Sequence, residues 1–308
     1  MAPIRIAIVG AGKIARDQHV PAICDDERFT LVATADQAHG VEGIANSPDL
    51  ATLLASGPEI DAVAICTPPQ VRGDIAASAI AAGKHVLLEK PPAATLSAFA
   101  HLTESAAVAG VTLFAAWHLR HAPMVEDARV WLADRAIKRG RVVWREDVRR
   151  WHPGQAWLWA PGGLGVFDPG INALSLLTEI LPVPLSVASA RLEVPANCHT
   201  PTAALLGLRC ENAEIVADFD FLQTGPQTWS VELETTDGHC LRMRNGGAEI
   251  AIDDEDFRTL PEREYAGVYD RFAELIAAGR SDADAAPLRL VADALLVAET
   301  HRVAPFIE

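Results

Sequence analysis

The feature that most restricts this chain lies in its first fifteen residues. An apolar run at 4–9 (IRIAIV) passes directly into Gly10-Ala11-Gly12-Lys13-Ile14-Ala15. This G-x-G-x-x-[GA] pattern, placed between a strand and a helix, answers three needs of a backbone that must approach a pyrophosphate. Gly10 permits the tight turn, Gly12 leaves room for the phosphates, and Ala15 lets helix and strand pack closely. The helix start at Lys13 and Ile14 then faces the anion. Asp36 follows 21 positions after Ala15, at the end of the next apolar run, where a carboxylate can take both ribose hydroxyls. A carboxylate there repels a 2′-phosphate, and the next residue is Gln37 rather than an arginine. NAD is therefore expected, with NADP possible. The alternative role for Asp36 is to cap the turn that follows it.

The same alternation continues to about residue 116. Short β-rich runs at 4–9, 29–33, 62–65, 85–88 and 111–115 are separated by helical stretches at 14–23, 49–55, 71–82 and 96–109. Continuous apolar runs such as IAIV and AVAI are what strands covered on both faces look like. Alternation at this spacing predicts βαβ units and a doubly wound parallel sheet, an α/β class of the Rossmann type. After His118 the pattern changes. A helix at 124–133, a segment at 141–148 and a Trp- and Gly-rich loop at 151–165 precede antiparallel strands at 187–194, 203–209, 214–221, 229–234 and 240–244. Asp237-Gly238 and Asn245-Gly246 are hairpin turn signals. An amphipathic helix at 287–301 ends the chain. With 308 residues the length favours two domains, expected at 1–118 and 119–308.

Composition narrows the function. A formal net charge of −15 disfavours a polyanionic partner, so no nucleic acid is expected. No apolar run reaches the ~20 residues of a membrane span, and the N-terminus reads as a strand rather than a signal sequence. The five dispersed cysteines (Cys24, Cys66, Cys198, Cys210, Cys240) form no metal-binding spacing and suit a reducing compartment, so a cytoplasmic protein without a metal is expected.

Three more segments carry chemistry. Cys66-Thr67-Pro68-Pro69-Gln70 and Glu89-Lys90-Pro91 each follow a strand at the carboxyl edge, where open α/β sheets bind ligands. Gly162-Gly163-Leu164-Gly165-Val166-Phe167-Asp168-Pro169-Gly170-Ile171-Asn172 leads into a helix of the second domain. Together with the glycine fingerprint, these segments in this order resemble the glucose–fructose oxidoreductase/inositol dehydrogenase (Gfo/Idh/MocA) family over nearly the whole chain. Within it, KIARDQHVPAI (13–23), EKPPAATL (89–96), EDVRRWHPGQAW (146–157) and PGGLGVFDPGINALS (161–175) are similar to bacterial sugar 1-dehydrogenases that oxidise L-arabinose or D-galactose to a lactone. The resemblance implies a second α+β domain with an open, mainly antiparallel sheet. It also implies a homo-oligomer, a dimer or tetramer, through the exposed sheet face.

One departure matters. The wider family has a histidine two positions after the glycine of D-x-G-x-H, and this chain has Asn172. The chemistry of oxidising a hemiacetal hydroxyl then falls to other groups. Asp168 is the candidate base, since such a hydroxyl is more acidic than an ordinary alcohol. Lys90 stabilises developing oxyanion charge, and Asn172, one turn beyond Asp168, hydrogen-bonds the hydroxyl without exchanging a proton. By resemblance, Glu146 and His152 contact the remaining sugar hydroxyls. Cys66, Thr67, Pro68, Gln70, Glu89, Lys90 and His118 complete the expected cofactor contacts, and His118 is a candidate for substrate as well. The alternatives are equally concrete: Asp168 as a helix cap, Glu146 in salt bridges with neighbouring arginines, and Trp151, Trp157 and Trp159 as loop anchors rather than a sugar-facing wall. At the level of function, another polyol or inositol dehydrogenase and a non-catalytic dinucleotide sensor stand beside the aldose reading.

Overall fold

A computed structural model describes residues 2–308. They form two compact units. The first holds the residues up to His118 together with Tyr265–Ala285, and the second holds Leu119–Glu264 with Ala286–Glu308. A single boundary after His118 is therefore corrected: a stretch from near the end of the chain belongs with the first unit.

The first unit contains six parallel strands, β1 (Ile4–Val9), β2 (Phe29–Ala35), β3 (Ala45–Ser47), β4 (Ala62–Ile65), β5 (His85–Glu89) and β6 (Leu113–Ala116), in the order β3-β2-β1-β4-β5-β6. The order reverses between β1 and β4, which makes their carboxyl ends the switch point where such sheets bind ligands. The glycine loop leaves β1 at that point. It opens a helix with a π-helical turn, Ala15–His19, that continues into α1 (Val20–Cys24). Helices α2 (Leu50–Ser56), α3 (Pro69–Ala81) and α4 (Leu96–Ala109) follow, the second-named of these running straight from the Thr67-Pro68 turn. Asp49 and Thr95 cap α2 and α4 by accepting from Thr52 N and Ala98 N, as short polar side chains do at helix starts.

The second unit begins with α5 (Val125–Leu132), β7 (Ile137–Arg145), the single turn α6 (Val148–Trp151) and α7 (Phe167–Ile180). Strands β8 (Leu185–Pro195), β9 (Ala203–Cys210), β10 (Ala213–Asp220), β11 (Thr228–Thr235), β12 (Cys240–Arg244), β13 (Glu249–Ile252) and β14 (Arg258–Thr259) come next. Helix α8 (Glu264–Ala278) leads back to the first unit, and α9 (Ala286–Val297) and β15 (Glu299–Val303) close the chain in the second. The sheet has nine strands, ordered β14-β13-β12-β11-β7-β10-β9-β8-β15. It is antiparallel except where β10 meets β7 and β15 meets β8. The terminal helix expected at 287–301 is thus corrected: it stops at Val297 and the chain then pairs with β8.

One face of this sheet is the core. In β10, Ala213, Ile215, Ala217 and Phe219 are buried while their neighbours alternate outward. Helix α7 lies against that face with most of its residues buried. A Cβ on Gly170 would come within 2.7 Å of the Phe219 ring, so glycine in Asp168-Pro169-Gly170 lets the helix start seat close to the sheet. That seating sets the depth of Asp168.

Helix α8 supplies part of the first core instead. Tyr265, Val268, Tyr269, Phe272 and Leu275 are buried, and Phe272 stacks on Phe29 and Phe114 with centroids 6.1 Å apart in both cases.

Candidate active site

In the first unit the glycine loop is built as the fingerprint demands. Gly10 has φ +89°, and a Cβ there would meet Thr67 Cγ2 and Thr67 N at 3.0 Å. Glycine is the residue that tolerates both the dihedral and the contact. At Gly12 a Cβ would meet nothing within 4 Å, so the loop leaves open space on that side. The Thr67 hydroxyl is buried without a hydrogen-bond partner among the described residues. An open cradle beside an orphaned hydroxyl fits a dinucleotide phosphate and its neighbouring groups. Of the expected contacts, Lys13 is exposed and paired with Asp17, one turn along, and Ile14, Gln37, Pro68 and Gln70 are exposed at the same loop ends.

Asp36 serves two roles at once. Its Oδ1 accepts from Ala38 N (2.8 Å) and His39 N (3.0 Å), which is the capping alternative realised. Its Oδ2 accepts from Ala11 N at 2.8 Å and so ties the turn to the glycine loop. Partial burial pushes the carboxyl up, yet these three N–H groups and the charge of Arg16 hold it below its ordinary value. A carboxylate oxygen has a further acceptor site, so ribose binding remains open to it. Arg16, 20 positions before Asp36, carries no local sign of a role at that turn. Its guanidinium donates to the carbonyls of Ala11, His39 and Gly40 and is the cation beside the Asp36 turn. We expect Asp36→Asn to raise NADP use relative to NAD by about tenfold or more, because a like-charge contact is removed while an acceptor oxygen stays. Initial rates with each cofactor measure this, and an unchanged ratio would take cofactor choice away from Asp36.

The Lys90 turn rests on a buried polar network. Glu89 Oε2 accepts from Lys90 N at 2.8 Å. Its Oε1 accepts from the Tyr265 hydroxyl at 2.6 Å and lies 3.0 Å from His19 Nε2. His19 Nδ1 is 2.8 Å from the Tyr269 hydroxyl. Burial opposes charge on Glu89, but the hydrogen bond and charge of His19, the charge of His118 and the Tyr265 hydroxyl keep it far below the usual carboxylate range. Burial likewise opposes charge on His19, while Cys66, Tyr269 and Glu89 raise it well above the ordinary histidine value. Burial pushes Tyr269 up to about 12. Arg72, itself buried, donates to the carbonyls of Thr67, Glu89 and Pro91, so one guanidinium ties both ligand-edge turns together. His118 stacks on Tyr265 with centroids 5.4 Å apart. His19, Arg72, Tyr265 and Tyr269 were missed by sequence reasoning.

In the second unit, Asp168 stands in the first turn of α7 and is buried. It is not the cap: the N-cap is Val166, with no side-chain bond. Asn172 lies one turn along, half-buried. His152 Nε2 lies 3.5 Å from Asp168 Oδ2 and 3.8 Å from Glu146 Oε1. Glu146 Oε2 accepts from the Trp229 indole at 2.9 Å. Of the neighbouring arginines, Arg145 pairs with Asp218 and Arg149 with Asp147. The His152 ring sits edge-on to Phe221, centroids 5.5 Å apart. Trp151 packs on Trp229, and Trp159 packs on Phe221 and Phe306, so both tryptophans anchor the loop. Trp229 was the residue that the sequence did not flag here. Among the described residues no cluster of His, Cys, Asp or Glu could hold a metal ion, and no helix is long and apolar enough to cross a membrane.

The residues described in each unit belong to a recognisable class of protein. Residues 4–117 match the family model GFO_IDH_MocA, described as an oxidoreductase family with an NAD-binding Rossmann fold. The chain belongs to that family. It is 47% identical to a galactose 1-dehydrogenase of Pseudomonas fluorescens over 310 aligned residues, covering 100% of both chains. It is also similar to the crystal structure of a D-galactose-1-dehydrogenase protein from Rhizobium etli, with 50% identity, a TM-score of 0.94 and coverage of 100% and 99%. An inositol dehydrogenase homologue from Azotobacter vinelandii complexed with NAD+ shares the fold at 20% identity and a TM-score of 0.81 over 96% of each chain. The protein is thus an oxidoreductase of this family with an NAD-binding Rossmann fold.

Proposed function

We propose that the chain oxidises an aldopyranose, D-galactose, L-arabinose or a close relative, at C1 to the aldonolactone. Asp168 is the general base and Lys90 and Asn172 position the C1 hydroxyl. The observation that carries this reading is the buried carboxylate of Asp168 in the first turn of α7, with an amide one turn along and His152 and Glu146 at its side. Full-length similarity to two galactose 1-dehydrogenases supports the substrate class.

The glycine loop, Asp36 and the Thr67 turn would hold the dinucleotide, whose nicotinamide would supply the hydride acceptor. The rest of the work falls to this chain's side chains. Asp168 takes the hydroxyl proton as the C1–O bond gains double-bond character. The Lys90 ammonium lowers the energy of negative charge on that oxygen. Asn172 orients the hydroxyl without competing for its proton, and Glu146 and His152 offer acceptors and a donor to the ring hydroxyls. Asn172 also favours a hemiacetal over a secondary ring alcohol, since the latter is less acidic and asks for a stronger base.

The test is cofactor reduction with L-arabinose, D-galactose, D-fucose, D-xylose, D-glucose and myo-inositol, each with NAD and NADP. Activity confined to the galacto-configured sugars, with NAD preferred, is the expected result. Activity on myo-inositol alone would move the chemistry to a ring alcohol, and silence with every sugar despite NAD binding would favour a sensor. L-Arabinose and D-galactose differ by the C5 hydroxymethyl, a difference of about 1–3 kcal/mol at most from one pocket wall, so both are expected to react.

A further inference from the structure

We propose that His152 is the proton outlet of the site, relaying the proton that Asp168 accepts to bulk water. The proposal rests on Asp168 as the base and adds the step that returns it to its ionised form.

The geometry carries the argument. Asp168 and Glu146 have side chains only 3% and 4% exposed, whereas His152, between them, is 22% exposed. A buried carboxylic acid formed in the reaction has to lose its proton before the next turnover, and a side chain with little contact with water loses it through a neighbour. The position one helical turn from Asp168 holds Asn172, an amide that cannot take up and release a proton. The imidazole 3.5 Å from Asp168 Oδ2 can, and it is the residue type whose ordinary proton affinity lies nearest to neutral. Its place is fixed from several sides. His152 N donates to Val148 O at 2.8 Å, and its ring is edge-on to Phe221. The Trp229 indole holds Glu146 Oε2, which leaves Oε1 as the oxygen facing the imidazole. Glu146 thus offers the relayed proton a stabilising negative neighbour on the way out.

The sequence of transfers balances. The C1–H bond breaks with its electron pair passing as hydride to the oxidised nicotinamide, and the O–H proton goes to Asp168. The sugar is oxidised to the lactone and the nicotinamide is reduced. Asp168–COOH then gives its proton to His152 Nε2 through the short gap, and the imidazolium loses a proton to water. No further oxidant or base is needed.

The experiment compares His152→Ala and His152→Gln with Asp168→Asn in the full-length protein with NAD and D-galactose. At saturating galactose the first hydride transfer in the His152 variants is expected to outpace the later turnovers, because Asp168 can still accept one proton. A burst of one reduced nicotinamide per site is therefore expected, followed by steady-state turnover slowed on the order of tenfold or more. Added imidazole is expected to restore steady-state turnover of the alanine variant as its concentration rises, while KM for galactose stays raised by the lost ring-hydroxyl contact. A slow first turnover with no burst, or a loss that imidazole does not restore in either variant, would overturn the relay and leave His152 as a sugar contact. Asp168→Asn is expected to lose the burst as well. If it keeps normal turnover, the base assignment fails independently of His152.

Discussion

Asp168→Asn is expected to lower sugar-dependent NAD reduction by roughly 10²–10⁴-fold, the range typical of removing a positioned general base, while leaving NAD binding unchanged. The substitution is nearly isosteric and removes the negative charge together with the ability to accept a proton. It leaves the helix cap untouched, because the cap position of α7 is Val166 and no side-chain bond closes the helix start. Among the losses are the interaction of a carboxylate with the helix N-terminus, about 0.3–1 kcal/mol, and the charge that faces His152. Loss of activity without a matching loss of thermal stability is therefore the signature of a catalytic role. The seating of Asp168 depends on Gly170 against Phe219 and on Gly165, whose added Cβ would come within 2.2 Å of the Pro201 carbonyl. Side chains at those glycines are expected to disturb activity and folding together, which makes them the useful contrast. Near-normal turnover of Asp168→Asn, measured as initial rates with NAD binding followed separately, would remove the residue as the base.

Much of this architecture was legible because the features that define it are local. The parallel strands are unbroken apolar runs, and the fingerprint, the Asp36 position and the Asp168–Asn172 spacing are all short-range patterns. What escaped the reading depended on distant partners. His19 sits in an ordinary helical stretch, and only its pairing with Tyr269, 250 positions away, reveals it as part of the Lys90 support. Arg72 looks like a surface arginine on α3 until its three carbonyl acceptors are seen. The start of β7 was hidden by Lys138, Arg139 and Arg141, which lie on the open face of the sheet where charge is tolerated. Glu299–Val303 looks like the end of a helix, and it becomes a strand because β8, a hundred positions earlier, presents a free edge to it. Helix α8 joins the first core through aromatic stacking on Phe29 and Phe114, contacts that no local pattern encodes.

The buried Glu89–His19 pair has the largest expected effect on stability. Glu89→Ala leaves His19, Tyr265 and the Lys90 amide without their shared acceptor. Breaking a buried pair by removing one partner costs about 3–5 kcal/mol, which for a unit of this size lowers the melting temperature on the order of 10 °C. Activity is expected to fall too, since the amide that fixes the Lys90 turn loses its partner. Glu89→Gln gives the sharper test because it keeps the shape and removes the charge. Glu89 has its folded-state value lowered, so its contribution is present above the unfolded carboxylate value of about 4.3 and is lost as pH falls through the lower folded value. His19 has its value raised, so its contribution is full below the unfolded histidine value of about 6.5 and is lost as pH rises through the folded one. The stability difference between the wild-type chain and Glu89→Gln should therefore be greatest between those two unfolded values and narrow on the alkaline side. Denaturant unfolding of both proteins across that range measures it, and the difference cancels the titration of every other group. A difference that instead falls steadily as pH rises from the unfolded carboxylate value, with no plateau up to the unfolded histidine value, would mean that the two side chains meet as neutral partners. The support of the Lys90 turn would then be a hydrogen bond rather than an ion pair.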